Sequence, residues 1–147
     1  GNKVRLKYGM VVECTGCEKD ATGAVTRVLA RVLPGTKSGT AGSDAVKVKG
    51  TITWVGQHDA VPATVVLYDR LFTEAQPDAG GRDFREGLNP RSKQVVTGYV
   101  EPALAAARQE QRYQFERHGY FVADRIDHAL GKPVFNRITT LRDSWSA

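Results

Sequence analysis

Between Gln114 and Phe121 the chain reads Gln-Phe-Glu-Arg-His-Gly-Tyr-Phe. It resumes after a turn as Lys132-Pro133-Val134-Phe135-Asn136-Arg137 and runs on to Leu141-Arg142-Asp143. A glutamine amide presents a donor and an acceptor together, which suits the edge of a nucleobase; arginine presents a planar fork of donors for a carbonyl or a phosphate. Aromatic rings add stacking faces. Gln114 and Arg117 are therefore the first candidates for binding. Residues three apart on a regular strand face opposite ways, so both can serve one base only if the chain bulges or turns between them. Gly119 makes such a distortion easier. The competing reading is an exposed strand with a Glu116–Arg117 ion pair. Tyr113, Phe115 and Phe121 share a parity and read as core. Asn136, Arg137 and Arg142 are polar positions on the last strand, which either line a binding face or face solvent.

A second basic group is Lys3, Arg5 and Lys7. Period-two spacing places the three on one strand face, with positive charge at steps of about 7 Å, a pattern that suits a polyanion backbone. The alternative is the polar outer face of an amphipathic strand. Lys47 and Lys49 repeat the pattern more weakly.

No catalytic constellation emerges. The chain has no glycine-rich phosphate loop and no recognisable nucleophile motif. Glu18 and Asp20 flank a turn and read as solvated carboxylates. Cys14 and Cys17 form one Cys-x-x-Cys pair without the second pair a tetrahedral zinc site needs, and His58, His118 and His128 are scattered. The thiols are predicted to be reduced and metal-free, as in a cytoplasm. These features point to a binding module with no catalytic residue, no metal and no cofactor of its own.

The elements that must position these groups are short. Val4 to Cys14 alternates as one strand, Asp20-Ala21-Thr22-Gly23 signals a turn, and Ala24 to Leu33 reads as the returning strand. Pro34 to Asp44 is a loop rich in Gly, Ser and Thr. Alternation resumes from Val46 to Trp54, with Gly50 as a possible bulge, and Ala63 to Phe72 is a nearly continuous apolar strand. A linker-like stretch follows, then one helical turn at Asp83–Glu86, a strand at Lys93–Tyr99 and a short helix at Pro102–Arg108. Two long strands at 111–123 and 133–143 close the reading. The expectation is an all-β chain of two small β-barrels with short helices. The first, residues 1–73, is expected to be complete; the second, residues 74–147, is expected to lack upstream strands.

The 147 residues are 41% apolar and 25% charged, with a net charge of +5, a balance that favours a polyanionic partner. No apolar run approaches the roughly 18 residues of a membrane span, and no signal peptide is evident.

The string from Gln114 to Asp143 resembles the C-terminal end of the glutaminyl-tRNA synthetase family. So do Lys3-Val4-Arg5-Leu6-Lys7-Tyr8, Val46-Lys47-Val48-Lys49-Gly50 with Trp54-Val55, and Leu67-Tyr68-Asp69-Arg70-Leu71-Phe72. The resemblance implies two β-barrels that grip the anticodon loop of tRNA(Gln). It places middle-base contacts on Gln114 and Arg117 and first-base contacts on Arg5 and Lys7; Lys3, Asn136, Arg137 and Arg142 are additional candidate RNA contacts on the reading of the residues alone. Lysine at position 7 keeps a charge but lacks the bidentate fork of arginine. The family's ATP motifs, His-Ile-Gly-His and Lys-Met-Ser-Lys-Ser, are absent. The resemblance thus implies a C-terminal portion whose partners are tRNA(Gln) and the catalytic domain of the same parent chain, the parent being a cytoplasmic ligase that uses ATP and Mg2+. Eukaryotic-type glutamyl-tRNA synthetases share the barrel pair and are the nearest alternative. A free-standing β-barrel that binds RNA or protein is the alternative of another class.

Overall fold

The computed structural model describes residues 1–141. Its regular secondary structure is β-strand apart from short 3-10 segments, and it divides into two compact units, Gly1–Trp54 and Val55–Ala147.

The first unit holds β1 (Lys3–Leu6), β2 (Val11–Lys19), β3 (Val25–Val32) and β4 (Thr51–Ile52), in the order β3-β2-β1-β4. The alternating run from Val4 to Cys14 is a hairpin, not one strand. Val4 pairs with Val12 and Arg5 with Val11. The chain reverses at Lys7-Tyr8-Gly9, where Tyr8 takes a positive φ of 59° and Gly9 N–H donates to Leu6 O at 2.8 Å. Antiparallel partners here share the same odd or even parity, so the alternation passes through the turn unbroken. The β2–β3 turn falls where the sequence places it. Asp20 Oδ1 accepts from the backbone N–H groups of Thr22 and Ala24 and from the Thr22 hydroxyl, at 2.6 to 3.0 Å, with Gly23 at φ 87°. The strand expected over residues 46–54 contracts to Thr51–Ile52, which runs parallel to β1.

The second unit holds β5 (Val61–Tyr68), β6 (Lys93–Val100), β7 (Arg112–Phe115), β8 (Gly119–Ala123) and β9 (Val134–Thr139), in the order β6-β5-β9-β8-β7. β5 was expected among the N-terminal strands. It lies instead in this sheet, paired along its length with β6 and in parallel with β9, so the division between units falls at Trp54–Val55 rather than near residue 73. Its continuous apolar run suits a strand flanked on both sides, but nothing in that run says which sheet it joins. Among the described residues the terminal strands of each sheet pair on one side only.

The core of the second unit is Ala63, Val65, Val100, Phe121, Ala123 and Phe135. Phe115 stacks on Phe121 at 4.4 Å between ring centres, and Phe135 meets Tyr113 and Phe115 edge-on at 5.7 and 5.2 Å. Burying such rings contributes about 1.5–3 kcal/mol each. His128, also buried, ties three segments together. Its Nδ1 accepts from Val134 N–H at 3.1 Å, its Nε2 lies 2.9 Å from Ala107 O, and its ring sits edge-on to Phe135. The helical segments are single 3-10 turns at Ala79–Gly81, Phe84–Gly87 and Pro102–Ala106. Asp83 caps the second by accepting from Arg85 N–H, and Pro102 opens the third.

Candidate nucleic-acid interface

The expected strand 111–123 is the β7–β8 hairpin. Tyr113 and Phe115 turn into the core, which leaves Arg112 and Gln114 on the outer face. Gln114 pairs with Tyr120, Arg112 with Val122, and Phe115 with Gly119. Glu116, Arg117 and His118 form the turn, with Arg117 at φ 68° and His118 N–H donating to Phe115 O at 2.9 Å. Gly119 is required where it stands. Its φ is 142°, and a Cβ there would lie 2.5 Å from Thr139 O. This turn removes the parity conflict between Gln114 and Arg117. Gln114 projects from a strand, Arg117 sits at the tip of the same hairpin, and both are exposed.

Asn136 and Arg137 lie on β9. Asn136 pairs with Val122, and its Nδ2 donates to Asp124 Oδ2 at 2.6 Å; its Oδ1 is buried without a partner among the described residues. Asp124 also accepts from the N–H groups of Ile126 and Asp127, each at 2.7 Å. The Asp127 N–H first, then the Asn136 amide and the Ile126 N–H, hold the Asp124 carboxyl below its ordinary range. Asn136 thus braces the turn after β8. Arg137 Nη2 lies 3.4 Å from Tyr68 O. Arg142 lies outside the described residues.

The three basic residues near the N-terminus do not form one ladder. Lys3 lies 3.9 Å from Glu13, and Glu13 also binds Arg31 at 2.6 Å. The Arg31 hydrogen bond is the main cause that lowers the Glu13 carboxyl. Arg5 is half-buried. Its Nη1 donates to Thr36 O at 2.6 Å and its Nη2 to Ser43 O at 2.5 Å, so the guanidinium holds the loop after β3. Thr36 completes that anchor, its hydroxyl accepting from Val11 N–H and donating to Leu33 O. Lys7 is in the β1–β2 turn, not on the strand. Its Nζ lies 5.2 Å from the centre of the Tyr8 ring, and its carbonyl accepts from Trp54 Nε1. Lys47 and Lys49 lie outside β4. Cys14 is half-buried, Cys17 is exposed, and both are free thiols. Among the described residues no three His, Cys, Asp or Glu side chains are grouped to hold a metal.

The model of the anticodon-binding domain of class I tRNA synthetases (E and Q) matches residues 51–124, half of the chain. The chain belongs to this family. Within it, the glutamine–tRNA ligase of Ralstonia nicotianae is 63% identical over 145 residues, covering 99% of this chain and 25% of that protein. The glutamine–tRNA ligase of Cupriavidus necator is 64% identical over the same length and coverage. That of Bordetella pertussis is 58% identical over 147 residues, 100% of this chain and 25% of the relative. The chain therefore spans about a quarter of the length of the relatives it matches. The family match runs from β4 through the β7–β8 hairpin and so includes both Gln114 and Arg117.

The structure adds Arg112 and Tyr120 to the outer face of that hairpin, two residues not singled out from sequence. Their signal was present. A turn centred on Arg117 puts residue 120 opposite residue 114 and residue 122 opposite residue 112.

Proposed function

We propose that this chain is the anticodon-recognition portion of a glutamine–tRNA ligase. It supplies identity recognition of tRNA(Gln), and the ligation of glutamine, with ATP and Mg2+, belongs to the catalytic domain of the parent chain in the cytoplasm. The observation that carries the reading is the β7–β8 hairpin. It presents an exposed glutamine amide from its strand and an exposed guanidinium from its turn, in a chain 58–64% identical to three glutamine–tRNA ligases. Gln114 and Arg117 read the middle anticodon base. Lys7 contacts the first-base region, and Arg5 supports it by fixing the adjacent loop. Lys3, Asn136, Arg137 and Arg142 are supporting positions, with Asn136 acting through the turn it braces. The net charge of +5 suits association with RNA.

The test is a titration of the full-length protein against tRNA(Gln) and a non-cognate tRNA at several salt concentrations. Tighter binding of the cognate that persists as salt rises supports the reading. Equal affinity for both, falling together with salt, rejects it.

A further inference from the structure

The geometry points to Tyr120 as the stacking platform for the nucleobase whose edge Gln114 reads. This deepens the anticodon-recognition reading above and rests on it.

The aromatic rings of β7, β8 and β9 divide into two groups. Tyr113, Phe115, Phe121 and Phe135 are engaged with one another, and the Tyr113 hydroxyl donates to Gln111 Oε1 at 2.8 Å. Tyr120 takes no part in that cluster. Its side chain is on the opposite face of β8 from Phe121, it is 43% exposed, and among the described residues neither its ring nor its hydroxyl has a partner. A tyrosine left out of the core while four neighbouring rings build it is not explained by packing.

Its surroundings suit one class of ligand. Directly across the ladder stands Gln114, whose amide is likewise without a partner among the described residues. Cross-strand partners have Cβ atoms about 4.5–5.5 Å apart, so a flat ligand laid on the ring brings its edge to the amide. Arg117 supplies charge from the turn between them, and Thr139 pairs with Tyr120 on its other side. A π-face, an amide with donor and acceptor open, and a guanidinium one turn away are what an unstacked base of single-stranded RNA requires. An apolar protein partner would leave the Gln114 amide unsatisfied.

The two residues then do different work. Every base has a π-face, so stacking on Tyr120 adds affinity without choosing among bases. The Gln114 amide distinguishes edges, so it adds discrimination.

The experiment uses the full-length protein and tRNA(Gln) carrying 2-aminopurine at the middle anticodon position, with equilibrium binding measured in parallel for the cognate and for middle-base variants. Tyr120→Ala and Tyr120→Leu are expected to weaken all of these RNAs alike, by about 5- to 100-fold, and to abolish the fluorescence change. Tyr120→Phe is expected to retain both affinity and signal. Gln114→Ala is expected to flatten the preference for the cognate base while keeping the fluorescence change. The inference is overturned if Tyr120→Leu binds and reports like the unmodified protein, or if the Tyr120→Ala loss is confined to the cognate base. If the unmodified protein fails to prefer tRNA(Gln) over a non-cognate tRNA, the anticodon-recognition reading itself falls, whatever Tyr120 does.

Discussion

The guanidinium of Arg5 ends on the carbonyl oxygen of Ser43, 2.5 Å away and 38 positions later in the chain. With its contact to Thr36 O, this bond closes the loop after β3 onto β1 and its turn. The side chain that period-two spacing offers to a polyanion is, in the fold, a tether. Arg5→Ala is expected to destabilise the first unit by about 1.5–3 kcal/mol, the usual loss for charge-assisted bonds to backbone. Arg5→Lys should recover only part, because an ammonium cannot span two carbonyls as the fork does. Chemical denaturation followed by Trp54 fluorescence measures both. Unchanged denaturation midpoints would show that the loop stays closed without the tether.

Arg117→Ala is expected to cost on the order of 1–3 kcal/mol in recognition and to relax discrimination at the middle anticodon base. Lys7→Ala should instead weaken binding nearly uniformly and make its salt dependence shallower. Aminoacylation of middle-base tRNA variants by the full-length protein separates the two. If Arg117→Ala penalises cognate and variants equally, Arg117 does not read that base.

Gly119→Ala should disrupt the hairpin that carries both candidates. The added Cβ meets Thr139 O at 2.5 Å, on a backbone whose φ of 142° few residues other than glycine adopt. A loss of about 3 kcal/mol or more is expected, with faster amide exchange at Tyr120 and Thr139. Wild-type exchange there would mean that the backbone yields at little cost.

His128→Ala is expected to cost about 2–4 kcal/mol, since it leaves Val134 N–H and Ala107 O without their buried partner and opens a gap beside Phe135. His128→Phe tests which part dominates. It keeps a ring but no nitrogen, and it should remain well below wild type in thermal melts.

Acid should loosen the turn after β8. The Asp124 carboxyl is lowered in the folded state by the Asp127 N–H, the Asn136 amide and the Ile126 N–H. Its contribution to stability is therefore complete above the ordinary carboxylate value and is lost as pH falls through the lowered one. Below about pH 4 the wild type should lose stability faster than Asp124→Asn, whose side chain does not titrate. Parallel urea melts at pH 6 and pH 3 decide it; equal slopes for the two proteins would contradict the assignment.

Much of the fold can be read from local chemistry. The Asp20–Gly23 turn, the Asp83 cap, the Pro102 helix start and the parity of Tyr113, Phe115 and Phe121 each depend on neighbours a few residues away. Failures occur where the deciding contact is remote. Arg5 finds its partners in a later loop, β5 joins strands that follow it, and the reversal at Tyr8 leaves the alternating pattern intact. The conflict between Gln114 and Arg117 is visible in the sequence together with its resolution by a turn, whereas the ring at Tyr120 becomes apparent only once the register of that turn is known.

β9 occupies the middle of the second sheet although it follows every other strand of that sheet in the chain. Its parallel pairing brings Thr64 beside Val134 and Val65 beside Phe135. Until it arrives, β5–β6 and β7–β8 are two separate hairpins with no shared ladder. Assembly therefore requires closing a long loop before its reward, and the keystone is the last of these five strands to leave the ribosome. A nascent chain stalled before Val134 would hold two exposed hairpins that offer their inner edges to any passing strand.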